Sequence, residues 1–598
     1  MRTDVAALPK TFDYAVPEQW DHAVTVGSRV RILLHGRRVG GWVVEDDVTP
    51  PEGIAPQPLA LWSGWGPPPA VVALAEWAAW RWAGPASFFL RAASPEKAVR
   101  ALPVPPPIRP GPPTPATPLG GLAQRVAGAG EPALLRLAPS TDLLDLVLAV
   151  LNDPATSTRP GSVLVLVPSV GWAERLTDRL VRRGVAATTD WAEARSGWPV
   201  VVGSRAAAWS PLPQLAAAVV LDAHDESYRE ESAPTYNAVE TVAERARREG
   251  ALCVLTSPAP PVALSAGRSV VALPPAAEKA GWATLQCVDR RGADPHEGLF
   301  SPEFVRLARA VLDDAAQLAE RGPLVCVFNR IGRARLLACV RCGELAQCTR
   351  CGAAVRQVEG GLRCPRCEEE RPLVCAACGG LRLKTLRVGV SRLREEVAAL
   401  LGAEVAEVSG AVEAGATNGA PVLMGTEAVL HRVRRASAVV FLDIDLHLLA
   451  PRFSATDETV ALLARSSRLV GPRPDGPESA RILVQTRVPD HPVLRALGRG
   501  TPELLAADEE AMRREAGLPP FVALALVSGP LAPTYLADVR ALAGSSDPAR
   551  SRPPTVSELA DDRFLVRAAD HRALCDLLAE VPRPSGRGLR IEVDPVTL

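Results

Sequence analysis

Lysine is almost missing from this chain of 598 residues. Only Lys10, Lys97, Lys279 and Lys384 occur, and arginine supplies the rest of the 67 basic residues. Abundant alanine, arginine and proline point to a GC-rich genome as the source of that bias. The scarcity still has a chemical consequence. A G-x-x-x-x-G-K-[ST] phosphate cradle needs a lysine that reaches the β/γ-phosphates, and none of the four sits in one. Net charge is absent too: 67 basic residues balance 67 acidic ones, which excludes a global electrostatic pull toward nucleic acid. No run of eighteen apolar residues exists, so no transmembrane helix is expected. The opening MRTDVAALPKTFDY has no apolar h-region of a signal peptide. These absences lead to the expectation of a soluble, cytoplasmic protein.

A disulfide framework is also missing. Cys253, Cys287, Cys326 and Cys575 are scattered. The other eight cysteines form four C-x-x-C pairs: Cys339 with Cys342, Cys348 with Cys351, Cys364 with Cys367, and Cys375 with Cys378. A C-x-x-C turn aims two sulfurs at one point, and two such turns complete a closed, tetrahedral, structural zinc site. Eight thiolates suit two zinc ions. Glycine follows Cys342, Cys351 and Cys378, as a tight knuckle turn favours. Spacing leaves nested and sequential pairing equally open. The surrounding segment is a basic island: from Arg330 to Arg394 there are fourteen Lys or Arg against five Glu. Such an island is either a phosphate-binding face or a solvated one.

Residues 103–118, PVPPPIRPGPPTPATP, hold nine prolines and predict a stiff, extended linker. Beyond it, near-continuous apolar runs alternate with amphipathic stretches. The runs SVLVLVP (162–168), PVVVG (199–203), AAAVVLD (216–222) and LCVLTS (252–257) make one set. PLVCVF (323–328), PVLMG (421–425), AVVFLDID (438–445) and RILVQT (481–486) make another. Strands buried on both faces read this way, and the alternation with GWAERLTDRLVRRG and AVETVAERARREG predicts parallel sheets flanked by helices. The chain is thus read as α/β, with two such domains in tandem. The cysteine segment interrupts the second, and a small α+β domain with strands near FVALALVSG and DRFLVRAAD closes the chain. Two α/β domains with a basic Cys-rich insert suggest a nucleic-acid motor. At the cradle position, however, stands ALLRLAPSTDLLDLVL (133–148), without glycine or lysine. Nucleotide hydrolysis by the usual route is not expected.

An ordered series of motifs resembles the PriA family of bacterial replication-restart proteins over nearly the whole length. FDYAVP (12–17) and GSRVRILLHGRRVGGWVV (27–44) resemble its DNA 3′-end-binding domain. VPSVGW (167–172), VVGSR (201–205), LDAHDESYREESAPTYNA (221–238) and TSPAP (256–260) stand in the places of its helicase motifs. NRIGRARLLACVRCG (329–343) opens its zinc region. GTEAVL (425–430), LDIDLHLLAPRFSATDE (442–458), VQTRVPDHPVL (484–494) and LPPF (518–521) continue in family order.

The resemblance implies two tandem RecA-like parallel-sheet domains, with an N-terminal β-rich DNA-binding domain, a zinc-binding insertion in the second and a C-terminal α+β domain. The implied limits are a 3′-end-binding-like domain at 1–101, a Pro-rich linker at 102–119 and a first RecA-like domain at 120–275. The second RecA-like domain occupies 276–338 and 381–495 around a two-zinc insertion at 339–380, and the C-terminal domain runs from 496 to 598. The winged-helix module of many relatives has no room. Family pairing of the cysteines is nested: Cys339, Cys342, Cys375 and Cys378 for one zinc, and Cys348, Cys351, Cys364 and Cys367 for the other. Phe12, Asp13 and Gly36 match the pocket for a nascent strand's 3′ end, while Gln57 replaces a family lysine. Phe12 could instead simply pack in a β-barrel core.

The departures concern the engine. The family's D-E-E-H motif becomes Asp222-Ala223-His224. The stretch matching its arginine-finger motif is RSSRLVGP (465–472), with Leu469 and Pro472 where the arginines belong. Ser140, Thr141 and Asp222 mark what remains of the nucleotide site, and no catalytic residue is assigned. Asp222, His224 and Asp225 invite a metal or hydrolase reading, but degraded ancestry explains them more simply; His431 and His447 are read as loop or core histidines. Arg341, Arg350, Arg356, Arg363 and Arg366 are read as a basic zinc-module surface for DNA phosphates or a protein. The resulting expectation is a monomeric replication-restart factor that binds abandoned or stalled forks and promotes primosome assembly and replicative helicase loading without unwinding. Its implied cofactors are two zinc ions, with ATP binding left without a recognisable site. Its implied partners are forked DNA, single-stranded DNA-binding protein, the replicative helicase and its loader. The alternatives are a divergent ATP-dependent 3′-to-5′ DNA helicase and a zinc-stabilised RNA- or protein-binding scaffold outside replication.

Overall fold

The computed structural model describes residues 1–598 apart from 6–7, 9, 51–54, 108–130, 292–298, 329–335, 386–392, 409–418, 473–480, 545–552, 560–561, 585–587 and 597–598. Most of the proline-rich segment, and with it the stiff linker expected there, lies outside the described residues.

Two parallel sheets form the centre of the molecule. In the first lobe seven strands run in the spatial order Val270–Ala272, Ala133–Arg136, Leu252–Ser257, Leu215–Val220, Ser162–Leu166, Val200–Gly203, Ala187–Thr188. In the second, six strands are ordered Leu285–Asp289, Ile482–Thr486, Ala438–Phe441, Leu324–Val327, Val422–Gly425, Val405–Val408. Ser162–Leu166, Leu215–Val220 and Ile482–Thr486 are buried at every position. That follows from helices covering both faces, which leaves no position for a solvent-facing side chain.

The flanking helices carry their own start and stop signals. Ser169 caps Val170–Arg182, whose buried residues Ala173, Leu176 and Leu180 recur every three or four positions and so form one stripe. Asn237 caps Ala238–Glu249, and Gly250 ends it with left-handed backbone at φ 62°. Among the described residues, no helix is long and apolar enough to cross a membrane.

The N-terminal sheet is antiparallel, ordered Arg2–Thr3, Arg37–Trp42, Arg29–Leu34, Leu61–Gly64, over a small core of Met1, Val30, Ile32, Val43 and Leu59. After Gly64 the chain turns helical, at Pro69–Arg81 and Ala86–Ala92. These helices leave their own sheet and share one core with the first lobe and the C-terminal domain. In that core Trp82, Phe89, Trp209 and Tyr236 lie in ring contact, with centroids 5.2 Å apart for Phe89–Trp209 and 5.6 Å for Trp209–Tyr236. The C-terminal sheet is antiparallel, ordered Thr555–Glu558, Arg563–Ala568, Ala523–Ser528, Arg590–Val593.

A charged knot sits at this three-way junction. Arg81 of the N-terminal helix pairs with Glu240 of the first lobe and Asp594 of the C-terminal domain, both at 2.7 Å, with 6% of its side chain exposed. His571 adds a contact to Asp594 at 2.7 Å. Burial pushes the Asp594 carboxyl up, but Arg81 and His571 outweigh it and hold the group well below the ordinary carboxylate range. Removing one partner of such a set strands a buried charge. Arg81→Ala is therefore expected to cost about 3–5 kcal/mol of stability, read as a lowered urea midpoint with an unchanged slope.

Candidate functional site

The cysteine insert is built from one turn used four times. In each C-x-x-C pair the carbonyl of the first cysteine accepts a hydrogen bond from the residue after the second: Gly343, Gly352, Glu368 and Gly379, at 2.9–3.0 Å. Those four residues all have left-handed backbone, at φ 75°, 72°, 61° and 71°. Glycine adopts that conformation freely, and Glu368 does so against its Cβ. The turns fold the sulfurs into two groups, Cys339, Cys342, Cys375, Cys378 and Cys348, Cys351, Cys364, Cys367, each within 4.8 Å of one another. The geometry is nested.

The donor set fits a metal of zinc's kind. Neighbouring sulfurs stand 3.6 Å apart for Cys339–Cys378, Cys342–Cys375 and Cys348–Cys367, and 3.5 Å for Cys351–Cys364. That is far longer than a disulfide. It is close to the edge of a tetrahedron with metal–sulfur bonds of about 2.3 Å. Around the inner group Leu337, Ala346, Ala353, Val355 and Leu362 form a small core with Cys348 and Cys364, with Leu373 and Leu383 packed against it. A core this small gains most of its stability from a metal when one is bound. The insert meets its lobe through the antiparallel pair Leu337–Cys339 and Leu383–Thr385.

Of the arginines expected to form a basic face here, the structure leaves Arg341, Arg350 and Arg356 exposed. Arg363 is shared between Glu368 and Glu370, each at 3.6 Å. Arg366 corrects the expectation. Its side chain is 11% exposed and turns toward Glu509 and Met512 of the helix Ala506–Glu515, so it fastens the insert to the C-terminal part of the chain.

At the N-terminus, the backbone of Phe12 is clamped by Met1: its N–H donates to the Met1 carbonyl at 2.9 Å and its carbonyl accepts from the terminal amine at 2.8 Å. Phe12 is half-buried and takes no part in the sheet's apolar core. Asp13 and Gln57 are exposed, and the strand Tyr14–Ala15 pairs in parallel with Gln57–Pro58. Tyr14 donates its hydroxyl to the Leu33 carbonyl at 2.9 Å, which ties this segment to the Arg29–Trp42 hairpin. Gly36 is at that hairpin's tip, with φ 74° and open space around it. Phe12 and Asp13 thus lead into the strand that pairs with Gln57, and Gly36 lies on the hairpin to which Tyr14 bonds.

The cleft between the lobes is occupied by the protein's own groups. Ser140 donates its backbone N–H to the Gly281 carbonyl at 3.2 Å, and Thr141 donates to Ala138 at 3.0 Å. The next helix, Leu143–Asn152, is capped by the Asp142 carboxylate, which accepts from the Leu144 N–H at 3.0 Å and pairs with Arg179 at 2.5 Å. A phosphate cradle needs those backbone donors free and the helix end open to an anion. Here a fixed negative charge already stands at it.

Asp222 sits in left-handed backbone at φ 52° and accepts from Arg468 at 2.7 Å. Asp225 pairs with Arg465. Both arginines come from the second lobe's helix Ala455–Val470, and Arg468 also lies over the Trp172 ring, 5.1 Å from its centroid. Burial pushes the Asp225 carboxyl up, yet Arg465 and the Ser227 donors hold it down at about 2. Desolvation lowers the His224 pKa, with Asp222 and Asp225 pulling the other way. Among the described residues the groups placed to hold a metal are the two cysteine sets, not this cluster. His447 is buried in the short helix Asp445–Leu448, and His431 is exposed at the end of Val429–Arg432. Sequence reasoning read RSSRLVGP for the arginines it lacked and passed over Arg465 and Arg468. Their spacing of three on a helix, which puts both on one face, was the available signal.

The chain is thus an α/β protein of two tandem parallel-sheet lobes, with an insert that carries two four-cysteine sets and a separate N-terminal antiparallel sheet. Residues 3–95 match the model of the PriA 3′ DNA-binding domain. The Haemophilus influenzae replication restart protein PriA is 26% identical over 404 residues, covering 61% of this chain and 54% of that protein. The probable replication restart protein PriA of Mycobacterium leprae is 28% identical over 589 residues, covering 88% of this chain and 86% of its own. Against the Haemophilus and Bacillus subtilis proteins the chain spans about half their length, 54% and 43%. Among solved structures, Saccharomyces cerevisiae Dbp5 bound to RNA and ADP BeF3 aligns with 67% of the chain and 93% of its own at 11% identity, with a TM-score of 0.35. The chain is thus similar to replication restart proteins named PriA, along most of its length in the mycobacterial ones.

Two equivalents of metal per chain are expected by elemental analysis. Cys351→Ser and Cys342→Ser are each expected to remove one, and chelation to expose the insert to protease while the lobes stay folded.

Proposed function

We propose that this chain is a replication-restart factor that binds abandoned or stalled forks and promotes primosome assembly and replicative helicase loading, without unwinding DNA itself. One observation carries the reading. Asp142 stands at the helix end where a phosphate would bind and the acidic turn is paired to Arg465 and Arg468, while both four-cysteine sets are assembled. In this reading residues 1–101 take the nascent strand's 3′ end, through Phe12 stacked on the terminal base and Asp13 and Gly36 around it. The two lobes, 120–275 and 276–495, act as a frame. The insert 339–380 holds two zinc ions and presents Arg341, Arg350 and Arg356 to phosphates or a partner. Single-stranded DNA-binding protein, the replicative helicase and its loader are the partners by resemblance.

The test is ATP turnover by the metal-loaded protein, with and without a fork carrying a leading-strand 3′ end. Background turnover beside tight fork binding is expected. DNA-stimulated turnover would instead restore a divergent 3′-to-5′ helicase. Equal binding to forked and linear DNA would favour a scaffold outside replication.

Two substitutions probe the strand-end surface. Phe12→Ala is expected to weaken binding to a 3′-ended duplex by about 1–3 kcal/mol, as loss of one stacked base does. Gln57→Lys is expected to tighten it and to steepen the salt dependence by roughly one phosphate contact. Both are read by fluorescence anisotropy against a 3′-phosphorylated control.

A further inference from the structure

The interlobe ion pairs do more than fill a lost site. We propose that Asp222 and Asp225 with Arg465 and Arg468 form a latch that holds the two lobes in one orientation, and so fixes the spacing between the strand-end surface and the metal insert. The four are positioning residues. The DNA consequence rests on the fork-binding reading above, and the latch itself does not.

Three observations support it. First, the two pairs match in spacing. Arg465 and Arg468 are three apart on one helix, and Asp222 and Asp225 are three apart in one turn, so a single docking geometry makes both contacts at once. Second, the carboxylates are withdrawn from water, with 9% and 7% of their side chains exposed, against 27% and 23% for Arg468 and Arg465. Coulombic attraction grows as the surroundings dry out, and a carboxylate left there alone would be costly. Third, Arg468 is gripped twice by the first lobe, through Asp222 and through the face of Trp172. In a nucleotide-driven motor the charges of such a cleft face a ligand that comes and goes, and the lobes move with it. Here the opposite charges are both supplied by the chain, so the closed arrangement needs no ligand. The lobes are also joined where the chain passes from one to the other, by the pair of Arg136 with Glu278. Just beyond it, Ala283 donates its N–H to Ser467 at 2.7 Å. The helix that carries both arginines is thereby tied to the crossover as well as to the acidic turn.

The experiment compares the full-length native protein with a variant carrying Arg465→Gln and Arg468→Gln, and with a conservative one carrying Arg465→Lys and Arg468→Lys. Hydrogen–deuterium exchange is followed at the 222–228 turn, the Val170–Arg182 helix and the Ala455–Val470 helix. Metal content checks that each variant is folded. The glutamine variant is expected to exchange roughly tenfold faster on both sides of the cleft, with the lysine variant returning toward native. Its preference for a fork over a linear 3′-ended duplex should fall about fivefold, since a two-point grip needs a fixed span, while affinity for the linear duplex holds. Native-like exchange in the glutamine variant overturns the latch. So does an equal loss of binding to both DNAs, which would mark general destabilisation. A native protein without fork preference would overturn the proposed function, and the exchange data would still decide the latch.

Discussion

The junction at Trp82, Phe89, Trp209 and Tyr236 is the constraint on which the rest of the molecule depends. The chain has few aromatic residues, and it concentrates them where three parts meet. Helices of the N-terminal part, the first lobe and the C-terminal domain bury one common apolar core there, with Arg81 as a charged pin beside it. Aromatic rings supply large buried area with defined edge-to-face geometry. The N-terminal sheet is therefore joined to the first lobe by a packed core, which includes Trp42 of the sheet, as well as by the chain.

Strands were legible in the sequence because burial on both faces writes a continuous apolar run, and SVLVLVP or RILVQT has no other good reading. The metal sets were legible because four identical turns leave a repeating C-x-x-C mark. Their nesting was not in the spacing; it came with the family likeness, and the sulfur positions are nested too. What stayed hidden depends on contacts distant in sequence. Arg465 and Asp225 are 240 residues apart, and Arg468 and Asp222 are 246 apart. No local pattern announces such a pair. Arg366 failed for a related reason: a charge count along the chain does not say which way a side chain points, and this one points inward to Met512.

The charges at the helix end and across the cleft are all paired within the chain. Asp142 at the Leu143–Asn152 helix end accepts the Leu144 N–H, one of the donors that an anion at this helix end would use. Asp222 is paired with an arginine of the facing lobe. Charges grouped for a ligand repel or strand one another when the ligand is given up. Pairing them within the chain removes that cost.

The nested cysteine sets also impose an order on assembly. The inner group closes a short loop, with Cys351 and Cys364 only 13 residues apart, whereas Cys342 and Cys375 of the outer group are separated by 33. Closing the longer loop first would cost about 0.8 kcal/mol more in chain entropy. Once the inner ion is held, the intervening chain is already folded back and the outer sulfurs are brought near one another without further search. A first ion held by the inner group would thus act as a template for a second at the outer one. The last step, closure of the outer group, zips the insert's entering and leaving strands together at the lobe.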